Sequence, residues 1–374
     1  MSGRFEKARK PKAPREKKPR DKRTLAQLGW KKILLLCLNV VLVLLTLLCA
    51  AKLTEYRNLL LTQKAAERWR GDSEERFAQV SVFLPVDQKI GEDEVRTFHQ
   101  TMDGAMIAAS LEAPEGGSLW QDAYCGTNTV SLSGPAGKAS VKTYGVGGDW
   151  FLFHPLTLLS GSYISERDFA QDRVVLDENL AWQLFGSSDV AGMEVTIGMR
   201  TYPVAGVVRL ENDKATKKAQ TESAVLFMSY ETLNAMQETK IDTYEIVMPN
   251  PISGYALSVM QEKFPVTTGA TVENSNRYSA LSLAKIVLDY GKRSMNTQAV
   301  IYPYWENAAR LTEDFAALFL MLTVLLAICP VVCAIIWIVK TLKRLIVQAK
   351  DKAVTTIEEK IEQKKEENYV RTGI

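Results

Sequence analysis

Two stretches of this 374-residue chain contain no charged residue, Ile33–Ala51 and Phe315–Val339. Each is long enough to cross a bilayer as a helix; the second would reach roughly 37 Å, somewhat more than a hydrocarbon core requires. If both span, residues 52–314 lie together on one side of the membrane and the two ends lie on the other. Few architectures satisfy that constraint.

Charge decides the sides. Residues 1–32 carry 13 Lys and Arg against 3 Asp and Glu, and residues 340–374 carry 9 against 6. The whole chain is only +3, so the segment between the runs is strongly acidic. Short basic flanks are retained in the cytoplasm. Both termini are therefore expected to be cytoplasmic, with 52–314 extracytoplasmic. A basic tail can also serve as a nucleic-acid arm. Here Lys31 and Lys32 abut the apolar run directly, which favours the membrane reading and no nucleic acid. Pro11, Pro14 and Pro19 and the scarcity of apolar residues predict a disordered tail at 1–32 that touches anionic lipid. Cys49-Ala50-Ala51 offers small residues for signal cleavage, but the leading region is long for a signal peptide, so a retained anchor is expected. Cys37, Cys49, Cys329 and Cys333 lie in the apolar runs, which leaves Cys125 without an outer partner for a disulfide.

Between the runs, periodicity predicts an α+β domain. Leu53, Tyr56, Leu59, Leu60, Ala65 and Trp69 recur at helical steps, so the first span is expected to continue as a stalk helix over 52–78. Residues 79–84 alternate as a strand, and 91–110 read as a helix with Glu92, Asp93 and Glu94 in its first turn. Val95, Phe98, Met102 and Met106 form that helix's apolar stripe, with His99 beside it in a structural role. Loops and short strands are expected over 113–138, where Gly, Ser, Pro and Asn are frequent. A strand follows at 139–144. Gly145, Gly147 and Gly148, followed by aromatics, read as a tight turn rather than a phosphate loop.

Farther on, 173–177 is a short strand ending in Asp177, placed to cap a helix over 178–185 that Gly186 closes. Strands are expected at 193–197, 202–208, 223–228 and 243–248, with an exposed loop over 212–222. Asn250 and Pro251 read as the start of a helix running to about 264. The outer domain, 79–314, is thus expected to be two-lobed, with strand–helix units bracketing a β-rich lobe at about 115–235. A short helix at 281–288 returns toward the membrane. Tyr302, Tyr304 and Trp305 precede the second span and read as headgroup-level anchors or as a docking site. Pro330 interrupts the span's hydrogen bonding and points to a neighbouring helix. Residues 340–374 read as a charged amphipathic helix.

The segment Trp150-Phe-Leu-Phe-His-Pro-Leu-Thr-Leu-Leu-Ser-Gly-Ser-Tyr-Ile164, followed by Asp172-Arg-Val-Val-Leu-Asp-Glu-Asn-Leu-Ala-Trp-Gln-Leu-Phe-Gly186, resembles the MacB-like periplasmic core domain. Val190-Ala-Gly-Met-Glu-Val-Thr-Ile-Gly198 leading into Tyr202-Pro-Val-Ala-Gly-Val-Val208 resembles the same family. The resemblance implies the MacB/FtsX group of ABC-transporter permeases. These are membrane subunits that couple an ATPase, separate or fused, to motion of the outer domain. Members carry three membrane helices after that domain, whereas one apolar run follows it here. The resemblance therefore implies a shortened subunit that depends on an ATPase, a further membrane permease subunit and the bilayer, and is compatible with an oligomer. The tail 340–374 then supplies a different cytoplasmic contact.

Catalytic signatures are lacking. His99 and His154 with one outer cysteine make no metal cluster, and neither a nucleophile elbow nor a Walker loop occurs. No enzyme, cofactor or metal is expected. The competing readings are an extracytoplasmic sensor or binding module and a regulator of cell-wall hydrolases.

Overall fold

The computed structural model describes residues 29–111, 113, 117–293 and 300–372. The basic tail expected at 1–32 thus falls almost wholly outside the described residues. Those described form two units, 29–45 with 326–372 and Thr46–Leu325.

In chain order the elements are α1 (Trp30–Arg57), α2 (Ala65–Arg70), β1 (Phe77–Phe83), α3 (Glu92–Ala108), β2 (Gln121–Ser133), β3 (Lys138–Gly148), α4 (Trp150–Phe153) and β4 (Thr157–Gly161). Then follow β5 (Val174–Asp177), α5 (Glu178–Phe185), β6 (Glu194–Ile197), β7 (Arg200–Arg209), α6 (Lys214–Ala219), β8 (Val225–Ser229) and α7 (Tyr230–Met236). The chain closes with β9 (Ile241–Pro249), α8 (Tyr255–Lys263), β10 (Ala270–Glu273), α9 (Ala280–Leu288), α10 (Tyr290–Arg293) and α11 (Tyr304–Thr372). Both α1 and α11 contain a stretch long and apolar enough to cross a membrane.

The unit Thr46–Leu325 is built on one ten-stranded sheet, ordered β10-β1-β9-β2-β3-β8-β5-β7-β4, with β6 pairing β2 and β7 off that path. The β3–β8 and β5–β7 pairs are parallel and the others antiparallel. The expected two lobes are two halves of this sheet with separate cores. In the first, Ala78, Val80 and Val82 of β1 meet Val95, Phe98, Met102 and Met106 of α3, along with α8. Alternate residues of a strand share a face, and helical residues three to four apart share a stripe, so these sets are complementary. In the second half Val174 and Leu176 pack under Leu180, Ala181 and Leu184 of α5.

Five expectations are corrected. The first helix stops at Arg57 instead of running as a stalk to 78. A 3₁₀ turn at Leu61–Gln63 and the short α2 replace it, because Ala65 and Ala66 are buried on the sheet and Arg68 donates to the carbonyls of Leu152 and Phe153. Residues 121–133 form a long strand rather than loops, paired with β3 from Ala123↔Gly148 to Ser133↔Lys138. Gly145 and Gly147 sit inside β3 rather than in a turn. A Cβ at Gly147 would strike the Tyr124 ring, and one at Gly145 the Leu233 side chain. The expected loop 212–222 contains α6, capped by Asp213, with Ala215 buried beside Ala308 and Ala309 of α11. The eighth helix also starts later than expected. Gly254 is its N-cap, while Asn250 is buried and its side chain accepts from the amide of Ala256.

In the unit of 29–45 and 326–372, apolar side chains such as Leu34, Leu44, Val331 and Ile335 are exposed around both helices. Asn39 accepts a long contact from the Cys329 thiol at 4.0 Å and donates to its own helix at Leu35. A polar residue in an apolar helix makes contacts of this kind with its neighbour.

Candidate functional site

The second face of β1 is polar at its centre, between Phe77 and Phe83. Gln79 and Ser81 alternate with the apolar residues of the first core, yet both are fully buried. Ser81 lies opposite Glu245 of β9 in the register, and its hydroxyl donates to that carboxylate at 2.5 Å. Glu245 in turn is bonded to His154 Nε2 at 2.5 Å, and both side chains are almost fully buried. His154 ends the short α4. Trp150 stacks on its ring at 4.0 Å and Trp305 meets it edge-on at 4.7 Å. His154 Nδ1 and the indole nitrogens of Trp150 and Trp305 are buried without a hydrogen-bond partner among the described residues.

From Ser81 the network continues toward α11. Gln79 holds the turn before α2, since its side chain accepts from the amide of Ala65 and donates to the carbonyl of Thr62. Asn274 donates to Gln63 at 2.9 Å, and Arg277 donates to the same Gln63 oxygen at 2.9 Å. Arg277 also grips Glu306 through two nitrogens, at 2.7 and 2.5 Å, and Glu313 through its Nε at 2.5 Å. Its side chain is only 3% exposed, and Glu306 1%. A lone buried charge would cost several kcal/mol. Here Arg310 also lies 3.5 Å from Glu306, so two cations face two carboxylates. Burial opposes the guanidinium charge, but the two carboxylates outweigh it and hold Arg277 charged. Burial pushes the Glu306 carboxyl above its ordinary value, with Arg277 pulling it back.

Glu306 and Glu313 are seven residues apart on α11, two turns along one face. Trp305 lies between Tyr144, Trp150 and His154, and Tyr304 packs edge-on to Tyr144. The first turns of α11, ahead of its apolar run, are therefore fixed to the sheet by an aromatic cluster on one side and a buried ion network on the other. Beyond them Tyr56 of α1 stacks between Phe315 and Phe319, at 5.4 and 5.6 Å.

The residues singled out in the sequence are scattered. Asp177 caps α5 through the amides of Asn179 and Leu180 and also accepts from Val225, at 2.9 Å. Gly186 closes α5 with φ 73°, the left-handed region open to glycine. Both lie on the second half of the sheet, away from the network. Tyr304 and Trp305 are buried in the core at 7% and 3% exposure instead of standing out as membrane anchors. Tyr302 sits partly buried against Phe83, with Arg310 over its ring. Pro330 lies inside α11. Arg277, Glu306, Glu313, Glu245 and Gln63 were not singled out. Their only sequence signal is the placement of charged and polar residues on otherwise buried faces. Among the described residues, no group of His, Cys, Asp and Glu could hold a metal ion.

Residues 77–259 match the family described as the MacB-like periplasmic core domain. Among solved structures the chain is similar to the periplasmic region of MacB from Actinobacillus actinomycetemcomitans, at 16% identity and TM-score 0.38, covering 62% of this chain and 99% of that one. The extracellular domain of the noncanonic ABC-type transporter YknZ from Gram-positive bacteria matches at 11% identity and TM-score 0.33, covering 49% and 88%. A domain of a permease protein from Porphyromonas gingivalis matches at 17% identity and TM-score 0.30, covering 51% and 84%. No curated protein matches the chain. The match to the MacB-like periplasmic core domain thus falls within the sheet domain, between two helices that each hold a stretch long and apolar enough to cross a membrane.

Proposed function

We propose that this chain is a non-catalytic membrane subunit of a MacB/FtsX-like ABC transporter complex, working in export or mechanotransmission. It acts through its extracytoplasmic domain with an ATPase in trans and a further membrane permease subunit. Both termini are cytoplasmic and 52–314 is extracytoplasmic, as the basic flanks favour.

The observation that supports this reading is the attachment of α11. The helix starts on the sheet at Tyr304 and is unbroken to Thr372. Sliding its first turns against the sheet would separate Glu306 and Glu313 from Arg277 and leave buried charges unpaired. Axial displacement of α11 is therefore passed to Arg277, Gln63 and Asn274, and from these to β1 and β9. Below the apolar run the exposed stripe of Leu345, Ile346, Val354, Ile357 and Ile361 offers a contact for a cytoplasmic partner. Pro330 has no amide hydrogen, so the Leu326 carbonyl is open to a neighbouring membrane helix.

The test is affinity purification of the full chain from its native membrane in mild detergent. An ATP-hydrolysing subunit and a second membrane protein are expected to co-purify. A stable lone chain would count against the proposal, and capture of a secreted cell-wall hydrolase would favour a regulatory role instead.

A further inference from the structure

The foot of the sheet domain holds a feature whose cations lie outside the coupling network, although Gln63 and Asn274 belong to both. A cavity of about 470 Å³ opens between the end of α1, α2 and the segment 274–279 that leads into α9. Arg57, Lys64 and Arg70 line it, against the single carboxylate of Glu67. Lys64 donates to Asn58 at 2.7 Å and stands 3.7 Å from Glu67. Arg57 and Arg70 have no side-chain partner among the described residues. Ser275 also lines the cavity; its oxygen accepts from the amide of Gln79, which leaves its hydroxyl hydrogen free to donate. The cavity is thus rich in cations and donors.

Its depth is set by α1. Arg57 lies six residues past Ala51, the last residue of the apolar run, or about 9 Å along the helix. The polar layer on each side of a bilayer is roughly 5–8 Å deep. The cavity mouth therefore lies at the outer edge of the headgroup layer, within reach of long Arg and Lys side chains. The adjoining α9 supports the same placement. Its Leu283 is buried with Ala316 and Ala317, next to Leu53 and Tyr56, so it packs against the ends of both apolar runs. Its other face exposes Leu281 and Leu288, at 70% and 83%. An amphipathic helix held at that level lays its free apolar face into the lipid. Tyr278 and Ser279, immediately before α9, line the cavity. A ligand here meets cations at one end and an apolar, membrane-facing helix at the other.

We propose that this cavity binds the phosphate of an anionic phospholipid headgroup, with the acyl chains beside α9. The proposal requires the chain to sit in a membrane but does not depend on an ATPase partner. The test uses the purified full chain, with phosphatidylglycerol, phosphatidylcholine and inorganic phosphate as probes. Lipid retention is read by native mass spectrometry and protection by the melting temperature. Phosphatidylglycerol is expected to be retained in preference to phosphatidylcholine, and R57Q/K64Q/R70Q to lose that preference by roughly fivefold per cation removed. The charge-conserving R57K/R70K is expected to keep it, which separates lost charge from lost folding. Equal protection by inorganic phosphate alone would overturn the lipid assignment in favour of a free anion. No preference in the natural chain, or undiminished preference in the triple variant, would overturn the site.

Discussion

The balance at Arg277 is the residue-scale basis of the account. Arg277→Met leaves the buried Glu306 and Glu313 with only the partly exposed Arg310 nearby, a loss of about 3–5 kcal/mol. The melting temperature of the full chain in detergent should fall by roughly 10 °C. Adding Glu306→Gln and Glu313→Gln should recover much of it, because no buried charge then remains unpaired. A melting temperature unchanged in the single variant would remove the network from the account. A second residue-scale prediction concerns His99, whose Nε2 lies 2.6 Å from Asp122. Burial opposes its protonation, but the bond to Asp122 prevails, helped by Glu166 and Asp103, and its pKa is raised from 6.5. The protonated form is the one that folding favours. Its stabilisation is complete below 6.5 and is lost as pH rises through the elevated value. Unfolding of the natural chain between about pH 6 and pH 8 should show that decline, and His99→Gln should flatten it. Asp177 and Gly186 were legible in the sequence because capping is local: the side chain and the amides it accepts from lie two and three residues apart. His154 and Glu245 are 91 residues apart, and no local pattern joins them.

At the scale of elements, the strands and helices with clean periodicity were legible, and the departures share one cause. Glycines weaken a strand pattern, yet β3 uses Gly145 and Gly147 to admit Leu233 and Tyr124 against its backbone. The stalk pattern at 52–78 was helical in spacing, but burial of Ala65 and Ala66 and the Arg68 bonds to α4 turn the chain onto the sheet. Tertiary contact overrode a local preference in each case. The docking of α11 is the feature on which the proposed function depends. Trp305→Ala removes the ring that packs on Trp150 and His154, at a cost of about 3–5 kcal/mol. Hydrogen exchange should rise across 304–314 and stay unchanged in α3 and β9. A uniform rise across the domain would mean that Trp305 supports the fold as a whole and is not a local clamp.

For the whole molecule, the two-lobed α+β domain between apolar helices was legible because hydropathy, charge bias and the MacB-like motifs all pointed the same way. That the lobes share one sheet was not, since the joining strand β2 lies in a stretch that reads as loops. A partner ATPase, the headgroup cavity and force passing along α11 all require that the sheet domain and the tail after the second apolar run face opposite sides of a membrane. Cys125 cannot report this, because it is fully buried. Met199, at the tip of the turn between β6 and β7, is fully exposed, and Lys352 is exposed on the tail. The deciding measurement is labelling of Met199→Cys and Lys352→Cys by a membrane-impermeant maleimide on intact cells. Reaction at 199 alone, with 352 reacting only after permeabilisation, is the predicted result. Reaction at 352 with 199 protected would contradict it.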